Sequence, residues 1–403
     1  MKLYLIIAFL FLTEFSIAQD WRYEEYIPKY KDEILSAENL EKEKGSRILR
    51  DLSFIGAYKE LYLRDNYQDS VLQNEFNKIM NSYVPTNAKE FILSKTKSEQ
   101  IVIINESHHR PEHRKFTADL LEVLYEQGFR YLALEAILSN HSRFTNYPQN
   151  RYCLVDTTIM DRGYPLMKAC SGTYVKEPAF GNMIRKALSL GYTIIGYEKR
   201  GKNRELSQAE NLAKLIWENP DAKILVHCGY GHLIESPRKH KEKYDTLMAG
   251  YLKQLTKINP LTIDQTNYYN YSTVSEIVFR NNPETNPQCL ISNNSPFISH
   301  LPEQQNYWDM TVFHPPVEFV EDRPSWLVLD PEKRTFILSD DEICIDYPLR
   351  IKSLSLDDRL DAVPIDITES YEPLSQYKLY GNLEKGKLVI ENKNGDRQVK
   401  VIE

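Results

Sequence analysis

The sequence predicts an α/β fold: a mainly parallel sheet with helices on both faces, a helical N-terminal segment and a small β-rich C-terminal module. Three observations lead there. Between about residues 98 and 270, short β-branched apolar runs alternate with amphipathic helical stretches. Charged sequence with helical apolar spacing precedes them in residues 20–95. After about residue 270, strand-like runs and hairpin turns take over.

The elements follow in order. "MKLYLIIAFLFLTEFSIAQD" reads as a secretory signal peptide: Lys2, an apolar core from Leu3 to Leu12, and a small-residue pattern ending at Ala18. Residues 1–18 are therefore expected to be cleaved, and the chain exported to a bacterial periplasm or exterior. Residues 19–95 are expected to be helical, and residues 96–330 to form the α/β domain. "EQIVIINE" reads as a buried first strand. A helix follows in "RPEHRKFTADLLEVLYEQGF", with Pro111 at its start and Gly128 past its end. "RYLALEA" is a second strand, completing a β-α-β unit. Residues 138–178 lack clean periodicity and read as an insertion. A helix in "AFGNMIRKALSLGY", a strand in "TIIGYE", a helix in "SQAENLAKLIWENP" and a strand in "AKILVHCGYGHL" continue the alternation. "YDTLMAGYLKQLTKIN" is helical and "PLTIDQT" resembles a fifth strand. "WDMTVFHPP" is open to being a late strand of the same sheet. "SWLVLD" and "TFILSD" look strand-like, and "EKGK" and "KNGD" are hairpin signals in the final β module, 331–403.

Composition narrows the function classes. With 42% hydrophobic and 27% charged residues the chain is globular rather than disordered. A net charge of −7 argues against nucleic-acid binding, which calls for a basic face. The 27 tyrosines suit a β-rich architecture as well as they suit a carbohydrate-binding surface. No later run is long enough to span a bilayer. The five cysteines match neither a zinc ribbon nor a CxxC motif, and their odd count leaves at least one thiol free. Cys153 and Cys170, which flank one loop-like segment, are the best candidate pair; Cys228 reads as a buried free thiol.

Ligands in an open α/β sheet bind beyond the carboxyl ends of the strands. The expected strands deliver Glu106, His108 and His109, then Glu135, then Glu198, and last His227 and His232, all at one edge. A glutamate ending an apolar strand needs a reason. His108 and His109 are adjacent and should point apart, and which of them faces a site is open. Glu112 and His113 read as surface residues. Such carboxylates and imidazoles suit general acid–base catalysis or metal binding, with Glu106, His108 and His232 as a possible ligand set. Glu198 has Lys199, Arg200 and Arg204 as nearby ion-pair partners.

"NESHHRPEHRKFTADLLEVLYEQGFRYLALEA" resembles the opening of the erythromycin-esterase/ChaN-like superfamily, with distant TraB/Tiki-type relatives. "NRELSQAENLAKLIWENPDAKILVHCGYGHL" is similar to its esterase branch, through Arg204, the "AEN" at Ala209 to Asn211 and a histidine-bearing strand end. The resemblance covers about residues 98–270. It implies that Glu106 and Glu135 are the two family glutamates and that His232 is the late histidine. His227 stands near a further esterase-branch histidine. The esterase spacing selects His109, the ChaN-like spacing His108. Asn105 replaces the usual glycine. The chemistries implied differ: lactone hydrolysis without a metal, haem-iron binding, or metal-dependent proteolysis. A divalent metal, haem or no cofactor thus all stay open, as does the oligomeric state. The expectation favoured is hydrolysis of a small-molecule or peptide substrate, with His109 or His108 activating water, Glu106 and Glu135 orienting it, and His232 polarising the carbonyl or protonating the leaving group. A haem or metal-ion carrier is the alternative. A non-catalytic envelope protein that binds a partner through its β module is a third reading.

Overall fold

The computed structural model describes residues 25–138, 158–168, 171–199, 201–240, 243–280, 285–382 and 384–402. The expected signal peptide and the Cys153–Cys170 pairing lie outside these residues. The main sheet begins with β1 (Val84–Asn87), β2 (Ile101–Glu106), β3 (Phe129–Leu138), β4 (Thr193–Glu198) and β5 (Lys223–Gly229). A small hairpin, β6 (Arg238–His240) with β7 (Lys243–Asp245), stands apart from it. The sheet resumes with β8 (Leu261–Asp264), β9 (Gln288–Ser292), β10 (Ser295–Pro296) and β11 (Met310–Phe313). Its nine strands run in the order β1-β9-β11-β8-β2-β5-β3-β4, with β10 beside β9. From β11 to β4 every neighbouring pair is parallel. β9 is antiparallel to β1, β10 and β11.

Side-chain alternation gives the sheet two buried faces. Val102, Ile104, Leu132, Leu134 and Leu225 pack against the helices Pro111–Glu126 and Pro178–Leu190. Ile101, Ile103, Ala133, Ile224 and Val226 pack against the helices Arg204–Glu218 and Met248–Thr256. Burying each such valine, leucine or isoleucine side chain contributes about 1.5–3 kcal/mol. The chain therefore leaves β2 toward the first face and β5 toward the second. These strands are neighbours, with Glu106 opposite Gly229 at their carboxyl ends. Opposite departures open a crevice at that point.

Three expectations need correction. The sheet starts before residue 96, because β1 pairs with β9. This strand is short and polar with a proline, an edge strand with no period-two signal. "SWLVLD" is not a strand: Ser325–Val328 is one turn of helix after extended Pro324. A short apolar run carries no periodicity that separates the two. "EKGK" is not a hairpin turn. The strands beside it are β17 (Gln376–Asn382) and β18 (Gly386–Asn392), and they join different sheets.

The C-terminal region is β-rich as expected. β12 (Phe319–Val320) pairs with β13 (Arg323–Pro324), and β14 (Lys333–Ser339) pairs with β17. β15 (Leu349–Ser355) lies between β16 (Asp366–Ser370) and β18, and β18 pairs with β19 (Arg397–Ile402) through the "KNGD" turn. Among the described residues no helix is long and apolar enough to cross a membrane.

The N-terminal helices join this module to the site. Gly56 has a left-handed φ of 69°, and a Cβ there would run into the Ile367 backbone carbonyl, 3.1 Å from its carbon. Gly56→Ala should thus destabilise the protein by more than about 2 kcal/mol. Urea denaturation with a midpoint equal to that of the parent would contradict this packing.

Candidate functional site

Glu106 ends β2 on the face covered by the Pro111–Glu126 helix, and its carboxylate is buried. Arg114 meets it with two bonds, Nε to Oε2 at 2.5 Å and Nη2 to Oε1 at 2.9 Å. Arg114 lies on the buried stripe with Ala118 and Leu121, so the helix carries its guanidinium onto the strand end. His108 Nδ1 lies 3.0 Å from Glu106 Oε1 and His227 Nε2 lies 2.9 Å from Oε2. Thr117 Oγ1 sits 3.2 Å from the other nitrogen of His227. Burial opposes ionisation of Glu106, but the Arg114 charge and the three donors hold its carboxyl well below the usual range. Arg114 Nη1 also donates to Glu177, which caps the Pro178–Leu190 helix by accepting from Phe180 N–H.

His108 and His109 do point apart. His108 stacks on Tyr174, with ring centroids 3.8 Å apart, and meets the edge of Tyr230. Its side chain is 20% exposed. An ionised Glu106 only accepts, so His108 Nδ1 donates; in the neutral tautomer that this contact selects, Nε2 carries the lone pair. Among the described residues Nε2 has no hydrogen-bond partner. His109 turns to Asp65, 2.6 Å from Nε2, and Arg110 Nε holds the same carboxylate at 2.9 Å. Ser107 Oγ lies 3.4 and 3.5 Å from the two ring nitrogens of His109. Equal distances place it at the ring edge between them, on neither lone pair, so Ser107, His109 and Asp65 do not form a nucleophilic triad.

The second group gathers at the ends of β3, β4 and β5. Glu135 Oε2 accepts the Gly229 N–H at 2.5 Å. Arg204 joins Glu135 to Glu198, and Gln208 adds a bond to Glu198 at 3.2 Å. His232 Nδ1 lies 2.7 Å from Glu205 Oε2, and its Nε2 lies 3.3 Å from Glu135 Oε1 and 3.0 Å from Arg204 Nη1. Burial lowers the His232 pKa, but the hydrogen bonds and charges of Glu135 and Glu205 outweigh this and raise it to about 9. Glu135 is likewise opposed by burial, yet His232, His108 and Arg204 bring it down to about 2.

Gly229 joins the two groups. A Cβ here would lie 2.6 Å from His108 Nε2 and 3.1 Å from Glu135 Oε2, so both side chains occupy the space glycine leaves. Tyr230 follows in left-handed backbone, φ 43°, and lays its ring against His108. A cavity of about 520 Å³ opens beside His108, His109, Tyr174 and Tyr230.

Of the residues expected from the strand ends, all but His109, which turns to Asp65, are thus found in two adjoining networks, with Glu106, His108 and His227 in one and Glu135, Glu198, Arg204 and His232 in the other. The possible metal set Glu106, His108 and His232 is divided between them: Arg114, His108 and His227 take up the Glu106 oxygens, while His232 bonds Glu135 and Glu205. Among the described residues no group of three His, Cys, Asp or Glu is placed to hold a metal ion. Glu112 and His113 are not surface residues but buried. Tyr62 OH of the Tyr58–Arg64 helix bonds Glu112, while His113 packs against Tyr269 and His314 and its Nδ1 accepts the Ser107 N–H at 3.0 Å. Asn105 does not leave the strand end open. Its amide spans Tyr230 O, Asp264, Thr266 and the Gln265 N–H. Cys228 is a buried free thiol. Arg114, Glu177, Asp65, Glu205, Tyr174 and Tyr230 escaped the sequence reading. Only Arg114 left a signal there, as an arginine on an apolar helical stripe.

No protein-family model matches this chain, and no curated protein matches it. Among solved structures it is similar to one described as bacterial protein toxins, at 12% identity over 58% of this chain and 48% of that one, TM-score 0.29. The type III effector HopBA1 is 13% identical over 45% of this chain and 84% of its own, TM-score 0.29. RRSP, a MARTX toxin effector domain from Vibrio vulnificus CMCP6, is 13% identical over 58% and 46%, TM-score 0.31. The matched region spans about half the length of the first of these structures. Likenesses this distant carry no argument about activity.

Two outcomes test the geometry. Gly229→Ala should cost about 1–3 kcal/mol and shift the His108 imidazole resonances. Gly231→Ala, whose added atom would find its nearest neighbour at 3.4 Å, should leave those resonances in place. His232 has a folded pKa raised from 6.5 to about 9, so its stabilisation is full below pH 6.5 and lost as the pH rises through about 9. The stability gap between the parent and His232→Gln should accordingly be about 3 kcal/mol at pH 6 and close by pH 10. A gap independent of pH would show that the ring is not charged.

Proposed function

We propose that this chain is an exported hydrolase in which His108 activates water for attack on an ester or amide carbonyl, with a site of the erythromycin-esterase/ChaN-like kind. One observation carries the reading: Glu106 holds His108 through Nδ1, and His108, whose Nε2 has no hydrogen-bond partner among the described residues, lines the cavity. In the reaction Nε2 takes a proton from water as the oxygen attacks. The resulting imidazolium lies against the Glu106 carboxylate, which stabilises its charge, and it then returns the proton to the leaving group. Arg114 keeps Glu106 ionised and aligned. Tyr174 holds the ring plane by stacking. Tyr230 lines the same cavity, and its hydroxyl, 3.1 Å from Ser107 Oγ, is the neutral donor assigned to the developing oxyanion. His232 does not line this cavity, so its role here is to balance Glu135 beside Gly229 rather than to polarise the carbonyl. His109 serves structure, through Asp65. Export is supported by the signal-like residues 1–18.

The test is hydrolysis of p-nitrophenyl esters by the purified protein. His108→Gln should lower kcat/KM by about 10²–10⁴ while unfolding at the parental midpoint. His109→Gln should retain more of the rate than His108→Gln, because its Nε2 is committed to Asp65. Undiminished turnover in folded His108→Gln would remove the proposal.

A further inference from the structure

The cavity beside His108 is unlike the chain around it in charge. The chain carries a net charge of −7, yet the cavity is edged by Lys42, Lys44, Arg47 and Arg50, with Glu43 the one carboxylate of its lining among the described residues. Three of these cations have a local partner: Lys42 with Glu38 at 2.5 Å, Arg47 with Glu43 at 2.7 Å and Arg50 with Asp51 at 2.6 Å. The Lys42 and Arg47 pairs are open to solvent, where an ion pair exchanges readily for another, while the Arg50 pair is more buried and held by two bonds to Asp51. Lys44 has no side-chain partner among the described residues. It stands at the N-cap of the ten-residue Gly45–Phe54 helix and gives that helix no side-chain cap, so lysine charge and the positive end of the helix add at one rim. Arg50 also lowers the phenol pKa of Tyr174, the ring stacked on His108, although burial dominates and raises it. The cationic rim and the candidate base therefore act on one space. Nothing in a base mechanism requires four cations there, since the imidazolium of His108 is already balanced by Glu106.

We infer that the substrate is an anion, bearing a carboxylate or phosphate that docks on Lys44, Arg47 and Arg50 while its scissile carbonyl reaches His108. This rests on the hydrolase reading for the reaction, but the rim itself binds anions whether or not turnover occurs. Guanidinium forks at two successive helical turns, Arg47 and Arg50, suit the planar oxygens of a carboxylate and the tetrahedral oxygens of a phosphate alike. The role given to the N-terminal helices follows: they form the specificity wall of a site whose chemistry is built on the sheet.

Two esters separate the contributions. The full chain is assayed with neutral p-nitrophenyl acetate and anionic mono-p-nitrophenyl glutarate. Its kcat/KM should favour the glutarate ester by about tenfold or more at low salt, and the ratio should fall as salt is raised. The combined variant Lys44→Ala, Arg47→Ala, Arg50→Ala should bring the ratio near one, and Lys44→Glu alone should lower it in the same direction. A parental ratio of one, or a ratio that the variants do not move, overturns the inference. If neither ester is hydrolysed, the reaction proposed above fails and the rim is tested by itself, through calorimetric titration with glutarate and with inorganic phosphate. Binding to the parent at least about tenfold tighter than to the combined variant then supports the anion site, and the stronger of the two ligands tells carboxylate from phosphate. Equal heats in both proteins overturn it.

Discussion

Glu106 and Arg114 form a charge pair with almost no access to water, and the rest of the site is arranged around the need to satisfy it. An isolated carboxylate at the end of an apolar strand would be too costly to keep ionised. Arg114 meets that cost with two bonds, but a guanidinium has further donors that must also be placed. They reach Glu177 and the His108 carbonyl, and so tie the Pro178–Leu190 helix and the loop after β2 to the same point. Two imidazoles complete the shell of Glu106. Removing one member of such a group leaves an unpaired charge, which is why buried pairs organise a site more than they stabilise a fold.

From that pair the orientation of His108 follows. Because the carboxylate can only accept, the ring must place its proton on Nδ1, and the Tyr174 stack leaves it one plane to occupy. The adjacent His109 takes the opposite course because Asp65, from the N-terminal helical segment, offers a buried acceptor on the other side. A doubled histidine is thus divided by two carboxylates from distant parts of the chain, one at its own strand end and one on a covering helix terminus.

The topology explains why both networks meet. β2 and β5 send their connections to opposite faces, so the chain parts beyond the paired ends Glu106 and Gly229. Glycine at that position lets His108 and Glu135 approach the same backbone, and the Glu135, Arg204 and His232 group closes the far side. The N-terminal helices cover the crevice from the front. Their packing is fixed by Gly56 on the C-terminal module and by Tyr62 on Glu112, so the outer parts of the chain set the shape of the mouth.

Alternating apolar runs and amphipathic stretches were enough to determine the parallel sheet, its helices and the side of the sheet on which polar residues gather, because burial on two faces imposes those periods locally. The same reasoning brought Glu106, Glu135, Glu198, His227 and His232 to one edge. Edge strands such as β1 escaped it, being short and polar, and so did the one-turn helix Ser325–Val328. Tertiary structure alone decided that His108 pairs with Glu106 and His109 with Asp65, that His113 and Glu112 are buried, and that Arg114, Asp65 and Glu205 are the partners. Those outcomes depend on which buried charge finds which counter-charge across tens or hundreds of residues, and no local period in the sequence encodes that pairing.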